Sequence, residues 1–374
     1  MATHITLHAR AARTLVPLAL CALSLGAVPA SAAQTDAALY ERPALHSELA
    51  ARSLMLDVTR AGERLLAVGE RGFILRSQDN GLSWQQMPSP VSVTLTQVTF
   101  ATPDQGWAVG HAGVILHSAD GGRSWIKQLD GNQAAQLVVD AATRALAERP
   151  DEDTRRSWTL PANWWRTALT NRFWPCIFSM HNAGWSSGAY GLALATVDGG
   201  QHWRSISQQL DNPSALHLYD ILQIDDTLFI AAEQGLLLRS NDQGEHFKAI
   251  DTPATGTFFG LLAGRGQTLL AFGLRGKILR SEDLGDSWQR ITNDQPATLT
   301  AGARASDGTL LLVDETGRVL RSQDDGRHFS AAPTQASSLT SLSETGDGRF
   351  MLAGVRGLSV FSLQDGQRSS AREQ

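Results

Sequence analysis

Cysteine, tyrosine and net charge are all scarce in this chain, and each shortage removes a class of explanation. Only two cysteines occur in 374 residues; Cys21 lies in the N-terminal apolar segment, which leaves Cys176 alone beyond it. A disulfide framework within the mature chain is thereby excluded, and stability has to come from packing. Cys176 falls in the apolar run 174–178, a setting that suits a buried thiol better than a nucleophile. A formal charge of −5 is small for this length. Neither a basic footprint nor an acidic tail is visible, so no nucleic-acid partner is expected. Beyond the N-terminal segment no apolar run reaches the length a bilayer demands, so no permanent span is expected.

The N-terminus reads as a secretory signal over residues 1–32. Arg10 and Arg13 supply its positive region, residues 14–28 its apolar region, and Pro29-Ala30-Ser31-Ala32 a small-residue cleavage site, with the cut after Ala32 or Ala33. A periplasmic mature protein follows from this. Cys21 raises lipid attachment as the alternative, but the residue before it is Leu20 and it stands inside the apolar run.

Glycine, in contrast, is plentiful at 34 residues, and it recurs with a period. Segments such as LLAVGERGFILRSQDNGLSW (65–84) and GWAVGHAGVILHSADGGRSW (106–125) repeat along the chain, with a shared glycine at Gly72, Gly113, Gly191, Gly235, Gly276, Gly317 and Gly357. The intervals are 41, 78, 44, 41, 41 and 40 residues, so one of them carries an insertion. Each unit reads as four short strands. A glycine-rich hairpin joins the second to the third, and a Ser/Thr-x-Asp-x-Gly-x-x-Trp/Phe box joins the third to the fourth. The architecture expected is all-β, a seven-bladed β-propeller with four-stranded blades over residues 34–366 and a helical insertion before the third blade. Residues 367–374 read as a disordered tail.

The box aspartates are Asp79, Asp120, Asp198, Asp242, Asp283 and Asp324. A whole unit separates each from the next, so they are expected to satisfy their own turns and not to bind calcium. In the seventh unit Gln364 replaces the Asp and no aromatic follows Gly366. That unit is expected to lack a fourth strand of its own, and residues 37–42 are the natural segment to supply one, because an open sheet edge invites association. Arg76, Arg239, Arg280 and Arg321 precede the box hydroxyl in four units, and this repetition points to pairing with an acidic group of the adjacent sheet.

The insertion spans residues 130–172. Leu137, Val138, Ala141, Ala142, Ala145 and Leu146 recur at helical spacing until Pro150 and a charged run intervene; Pro161 then opens a second helix bearing Trp164 and Trp165. This element packs across one end of the ring, contacts a partner, or rests on a membrane surface beside Arg155, Arg156, Arg166 and Arg172.

At Gly69-Glu70-Arg71-Gly72 with residues 74–79, and at Gly110-His111-Ala112-Gly113 with residues 115–125, the sequence resembles the photosystem II stability and assembly factor propellers and their relatives in non-photosynthetic bacteria. The resemblance covers essentially the whole mature chain. It implies a non-catalytic, cofactor-free propeller that assists assembly of an envelope membrane-protein complex through an arginine-bearing face. The matching residues here are Arg71, Arg275 and Arg356 in the hairpins, with Arg318 just past the equivalent glycine of the sixth unit. His111-Ala112, Ala189-Tyr190 and Glu233-Gln234 depart from the pattern, so only an arc of the ring can be basic. A monomer is expected.

Box turns also occur in sialidases, which makes a glycan-binding or hydrolysing propeller the rival reading. That chemistry needs an arginine cluster, a tyrosine activated by a glutamate, and an acidic proton donor. Tyr40, Tyr190 and Tyr219 are the only tyrosines, and no Arg-Ile-Pro segment precedes the first unit. Metal binding fares no better: His111 and His117 alternate along one hairpin without a carboxylate at ligand spacing.

Overall fold

The computed structural model describes residues 40–148, 176–178, 182–332, 334 and 336–363. The expected N-terminal signal, the expected second insertion helix with Trp164 and Trp165, the box positions Gln364 and Gly366 and the expected C-terminal tail lie outside them, and of residues 176–178 only the backbone is described.

Seven antiparallel sheets follow one another in chain order, each built from consecutive strands. Blade 1 comprises β1 (Met55–Ala61), β2 (Arg64–Gly69), β3 (Ile74–Ser77) and β4 (Gln85–Met87). Blades 2 to 6 repeat this order over 95–129, 176–205, 218–250, 258–291 and 299–332. The first strands of neighbouring blades lie against one another, the last against the first, so the inner strands surround a common axis. Second strands such as β2 are buried along nearly their whole length because a sheet packs on either face. Their apolar, partly β-branched composition fits that position.

Glycine is required where blades are joined. Gly72 has φ 74°, and a Cβ there would strike the carbonyl oxygen of Val91 in the connection to blade 2. Gly357 has φ 90°, and a Cβ would strike the carbonyl oxygen of Ala51. Residues 50–53 thus take, between blade 7 and blade 1, the place that an inter-blade connection takes elsewhere.

Ring closure differs from the expectation. Among the described residues blade 7 has three strands, β25 (Leu339–Glu344), β26 (Phe350–Gly354) and β27 (Gly357–Phe361), and residues 40–42, the described part of the expected closing segment 37–42, form no strand. Tyr40 is buried instead among Met87, Val91, Val93, Val114 and Trp125 of blades 1 and 2. Its hydroxyl accepts a hydrogen bond from Asn132 Nδ2 at 2.7 Å. From there the chain runs back along blade 1, where Ala44 N donates to Ser89 O at 3.0 Å. The physical reason is that the seam is closed by side chains: Met55, Val58, Leu65 and Ala67 bury against Met351 and Ala353. Thr340 Oγ1 also donates to Met55 O at 2.8 Å.

The insertion opens with a single long helix, α1 (Gly131–Glu148). Asp130 Oδ1 accepts from Asn132 N and Gln133 N, while Gln133 Oε1 accepts from Asp130 N at 2.9 Å, a reciprocal cap that starts the helix sharply. Its apolar stripe, with Ala134, Leu137 and Val138, packs on Trp107, Leu129, Leu192 and Trp203 of blades 2 and 3.

Candidate partner-binding surface

The loops divide between two faces of the ring. Box turns and first hairpins share one face, as the bond from Gly346 N to Asn80 Oδ1 at 2.9 Å illustrates. The second hairpins share the other face with the inter-blade connections.

On the box face each carboxylate is consumed by its own turn. Asp283 Oδ1 accepts from Ser281 Oγ at 2.7 Å and Ser287 N at 2.9 Å, and Oδ2 accepts from Ser287 Oγ at 2.6 Å. Ser281 Oγ in turn accepts from Gly285 N at 2.8 Å. The other five boxes repeat this, with His202, His246 and His328 replacing the serine in three of them. For Asp283 the Ser287 hydroxyl, then the other donors, holds the carboxyl down at about 2. Among the described residues no cluster of three or more metal-ligating side chains occurs.

The strand-end arginines stitch each blade to the next box. Arg76 Nε donates to Gly121 O at 3.0 Å, Arg239 Nη1 to Leu284 O at 3.0 Å and Asp286 Oδ1 at 2.6 Å, and Arg280 Nη2 to Asp325 Oδ2 at 2.9 Å. Arg321 occupies the same position in blade 6, facing the blade whose box is worn; its Nε has no hydrogen-bond partner among the described residues.

On the opposite face, five hairpins form one-turn 3-10 segments whose middle residue has φ near 57°: Arg71, Ala112, Tyr190, Gln234 and Arg275. Of these, Arg71 and Arg275 are exposed, as is Arg356 in the hairpin of blade 7. None of these three makes an ion pair among the described residues. Arg318 differs: its Nε donates to Asp314 Oδ2 at 2.6 Å, and Asp314 is fully buried. The hairpin glutamates turn inward to backbone N–H groups, Glu70 to Leu54 N at 3.3 Å, Glu233 to His217 N at 2.9 Å and Glu315 to Thr298 N at 2.8 Å.

Sequence reasoning missed two features near the axis. Inner strands carry a bulge, and at the bulge stand Asp57, Gln97, Asp220 and Ser341. Asp57 Oδ2 accepts from Val98 N at 2.9 Å and Asp220 Oδ2 from Leu261 N at 2.8 Å, each reaching into the next blade. Desolvation raises both carboxyls, Asp220 to about 7, against these hydrogen bonds. The signal was available: an aspartate at the third position of the first strand in both blade 1 and blade 4. The second feature is a row of rings over blades 3 to 5, Tyr190, His217, Tyr219 and Phe259. Those residues belong to three separate units, so only the ring geometry collects them.

The sequence profile described as photosynthesis system II assembly factor YCF48 matches residues 38–140 and 161–311, well over half of the chain. The chain belongs to this YCF48 family. Among solved structures it is similar to YCF48 bound to D1 peptide, with 16% identity and a TM-score of 0.60, covering 86% of this chain and 98% of that one. YCF48 from Cyanidioschyzon merolae gives 15% identity and a TM-score of 0.59 over 84% of this chain and 97% of that one. A streptogramin B lyase gives 11% identity and a TM-score of 0.64 over 83% and 94%. Identities this low show a shared fold alone. A comparison with curated protein sequences gave no match.

Proposed function

We propose that the protein is an exported, non-catalytic assembly factor or scaffold for an envelope membrane-protein complex. In this reading it works in the periplasm and grips extracytoplasmic segments of its partner with the second-hairpin face. The observation that carries the reading is the arrangement of Arg71, Arg275 and Arg356: all three are exposed on hairpins of blades 1, 5 and 7, without ion pairs among the described residues, while the neighbouring hairpin glutamates bind backbone. Unpaired guanidinium groups on rigid turns lose little on docking to carboxylates or carbonyls. Family membership supports it, as does the similarity to a YCF48 whose structure holds a D1 peptide.

The test is capture from solubilised membranes by the wild-type protein and by a variant with Arg71, Arg275 and Arg356 all changed to Glu. The variant should lose a specific membrane protein while keeping its melting temperature. Equal capture by both would remove the arginine arc from the account.

A sialidase-type reading has one observation in its favour, the Tyr219 hydroxyl lying 3.4 Å from Glu233 Oε1. Burial, then the Glu233 charge, pushes that phenol up to about 12, which works against its ionisation as a nucleophile. Turnover of sialyl or other glycoside substrates would establish this reading instead.

A further inference from the structure

The row of rings on the second-hairpin face has a chemistry that the arginine arc does not. Tyr190, at the tip of the blade 3 hairpin, meets His217 edge-on, with ring centroids 4.6 Å apart and planes at 74°. Tyr219 and Phe259, on the inner strands β13 (Leu218–Ile224) and β17 (Phe258–Ala263), meet at 5.0 Å and 82°. Between the two pairs His217 and Tyr219 lie 6.5 Å apart. All four residues are half-buried, so none is sealed from solvent.

Two near-perpendicular ring pairs make two corners, and each corner presents an electron-rich face beside the edge of its neighbour. One carboxylate sits between them. Glu233 Oε1 lies 3.4 Å from the Tyr219 hydroxyl and 3.8 Å from His217 Nδ1, while Oε2 accepts from His217 N. The Glu233 side chain keeps 30% of its surface exposed, and that of His217 33%. Ring faces grouped around a carboxylate attract a cation twice, by the ring quadrupoles and by the charge, and they hold the aliphatic stem of a lysine or arginine as well. An anionic or purely apolar ligand would meet the Glu233 charge without compensation.

We propose that Tyr190, His217, Tyr219, Phe259 and Glu233 form a cage for a cationic side chain, a lysine or an arginine, carried by the segment that docks on this face. The bearer of the cation rests on the docking reading above, whereas binding of the cation does not. Together with the arginines of blades 5, 7 and 1, the cage gives the face two opposite charge preferences on two arcs. A bound segment would then be fixed in direction, its basic residue over blades 3 to 5 and its acidic or carbonyl groups toward the arginines.

Only three tyrosines occur in the chain, which makes ring-labelled tyrosine NMR a direct readout. Tyr190 and Tyr219 report on the cage, and buried Tyr40, among residues of blades 1 and 2, is the internal reference. The mature protein is titrated with acetyl-Gly-Lys-Gly-amide and, separately, with the same tripeptide carrying norleucine. The lysine peptide should move the Tyr190 and Tyr219 signals saturably in the millimolar range and leave Tyr40 in place. Its binding should be about tenfold tighter than that of the norleucine peptide. Glu233→Gln, which keeps an acceptor for His217 N, should abolish the difference. Equal shifts with both peptides, or no saturable shift with lysine, would overturn the cage, and neither result needs the variant to fold. Loss of membrane-protein capture with lysine binding intact would count against the docking reading alone.

Discussion

Ser341 on the inner strand of blade 7 donates its hydroxyl to Asp57 on the inner strand of blade 1 at 2.5 Å, joining residues 284 positions apart in the chain. The same oxygen receives Val58 N at 3.4 Å. This is the polar half of the seam whose apolar half is Met55 against Met351. Replacing Ser341 with Ala leaves a half-buried carboxylate short of one donor and should cost about 1–3 kcal/mol. Denaturant unfolding measures it; a loss confined to a few tenths of a kcal/mol would mean that the seam holds by apolar packing alone.

Asp220 gives the fold an unusual pH response. Desolvation first, opposed by the Leu261 and Ile221 N–H groups and reinforced by the Asp57 charge, raises its carboxyl to about 7, whereas an unfolded Asp titrates near about 3.9. Between those values the native state keeps a proton that the unfolded state has released, so stability falls as pH rises through the window. Asp220→Asn should flatten that slope, as read from denaturant midpoints at several pH values. An unchanged slope would assign it to another group.

The box carboxyls act in the opposite direction. Asp242, through the His246 N–H first, and Asp283, through the Ser287 hydroxyl first, are held at about 2. Their contribution is complete above the unfolded value near about 4 and is lost as pH drops toward the folded one. Asp283→Asn should therefore be less stable than the wild type at neutral pH and converge with it in acid. Ser281→Ala, which strips both Asp283 and Gly285 N of a partner, should cost about 1–3 kcal/mol.

Arg318 should part company with the other hairpin arginines. Reversal to Glu would set two carboxylates together at buried Asp314, so Arg318→Glu should lower the melting temperature sharply. Arg71→Glu and Arg275→Glu should leave it unchanged. Thermal unfolding of the three single variants decides between a structural and a surface role.

The repeat was legible because two of its turns tolerate few residue types. Gly72, Gly235, Gly276, Gly317 and Gly357 are fixed by a passing carbonyl, and the box Ser and Asp by a closed set of hydrogen bonds. Closure was not legible, since the open edge of a failing seventh unit suggested strand addition by residues 37–42, whereas Tyr40 is held two blades away by Lys127, Asn132 and Trp125. In sequence Arg318 groups with Arg71 because it follows a hairpin glycine as Arg71 precedes one, and no local pattern tells that Asp314, four residues earlier, claims its guanidinium. Tyr190, Tyr219 and Phe259 lie far apart in the chain, and their proximity depends on blade order around an axis, which no local pattern encodes.

Site-specific photo-crosslinking reports most directly on whether the second-hairpin face is where the protein meets its partner. A photoreactive residue at Arg275 is compared with one at Leu82, which is 72% exposed in a box turn of the opposite face. The account predicts a discrete membrane-protein adduct from position 275 and none from position 82. Adducts of equal yield from both positions, or a membrane-protein adduct from position 82 alone, would contradict it.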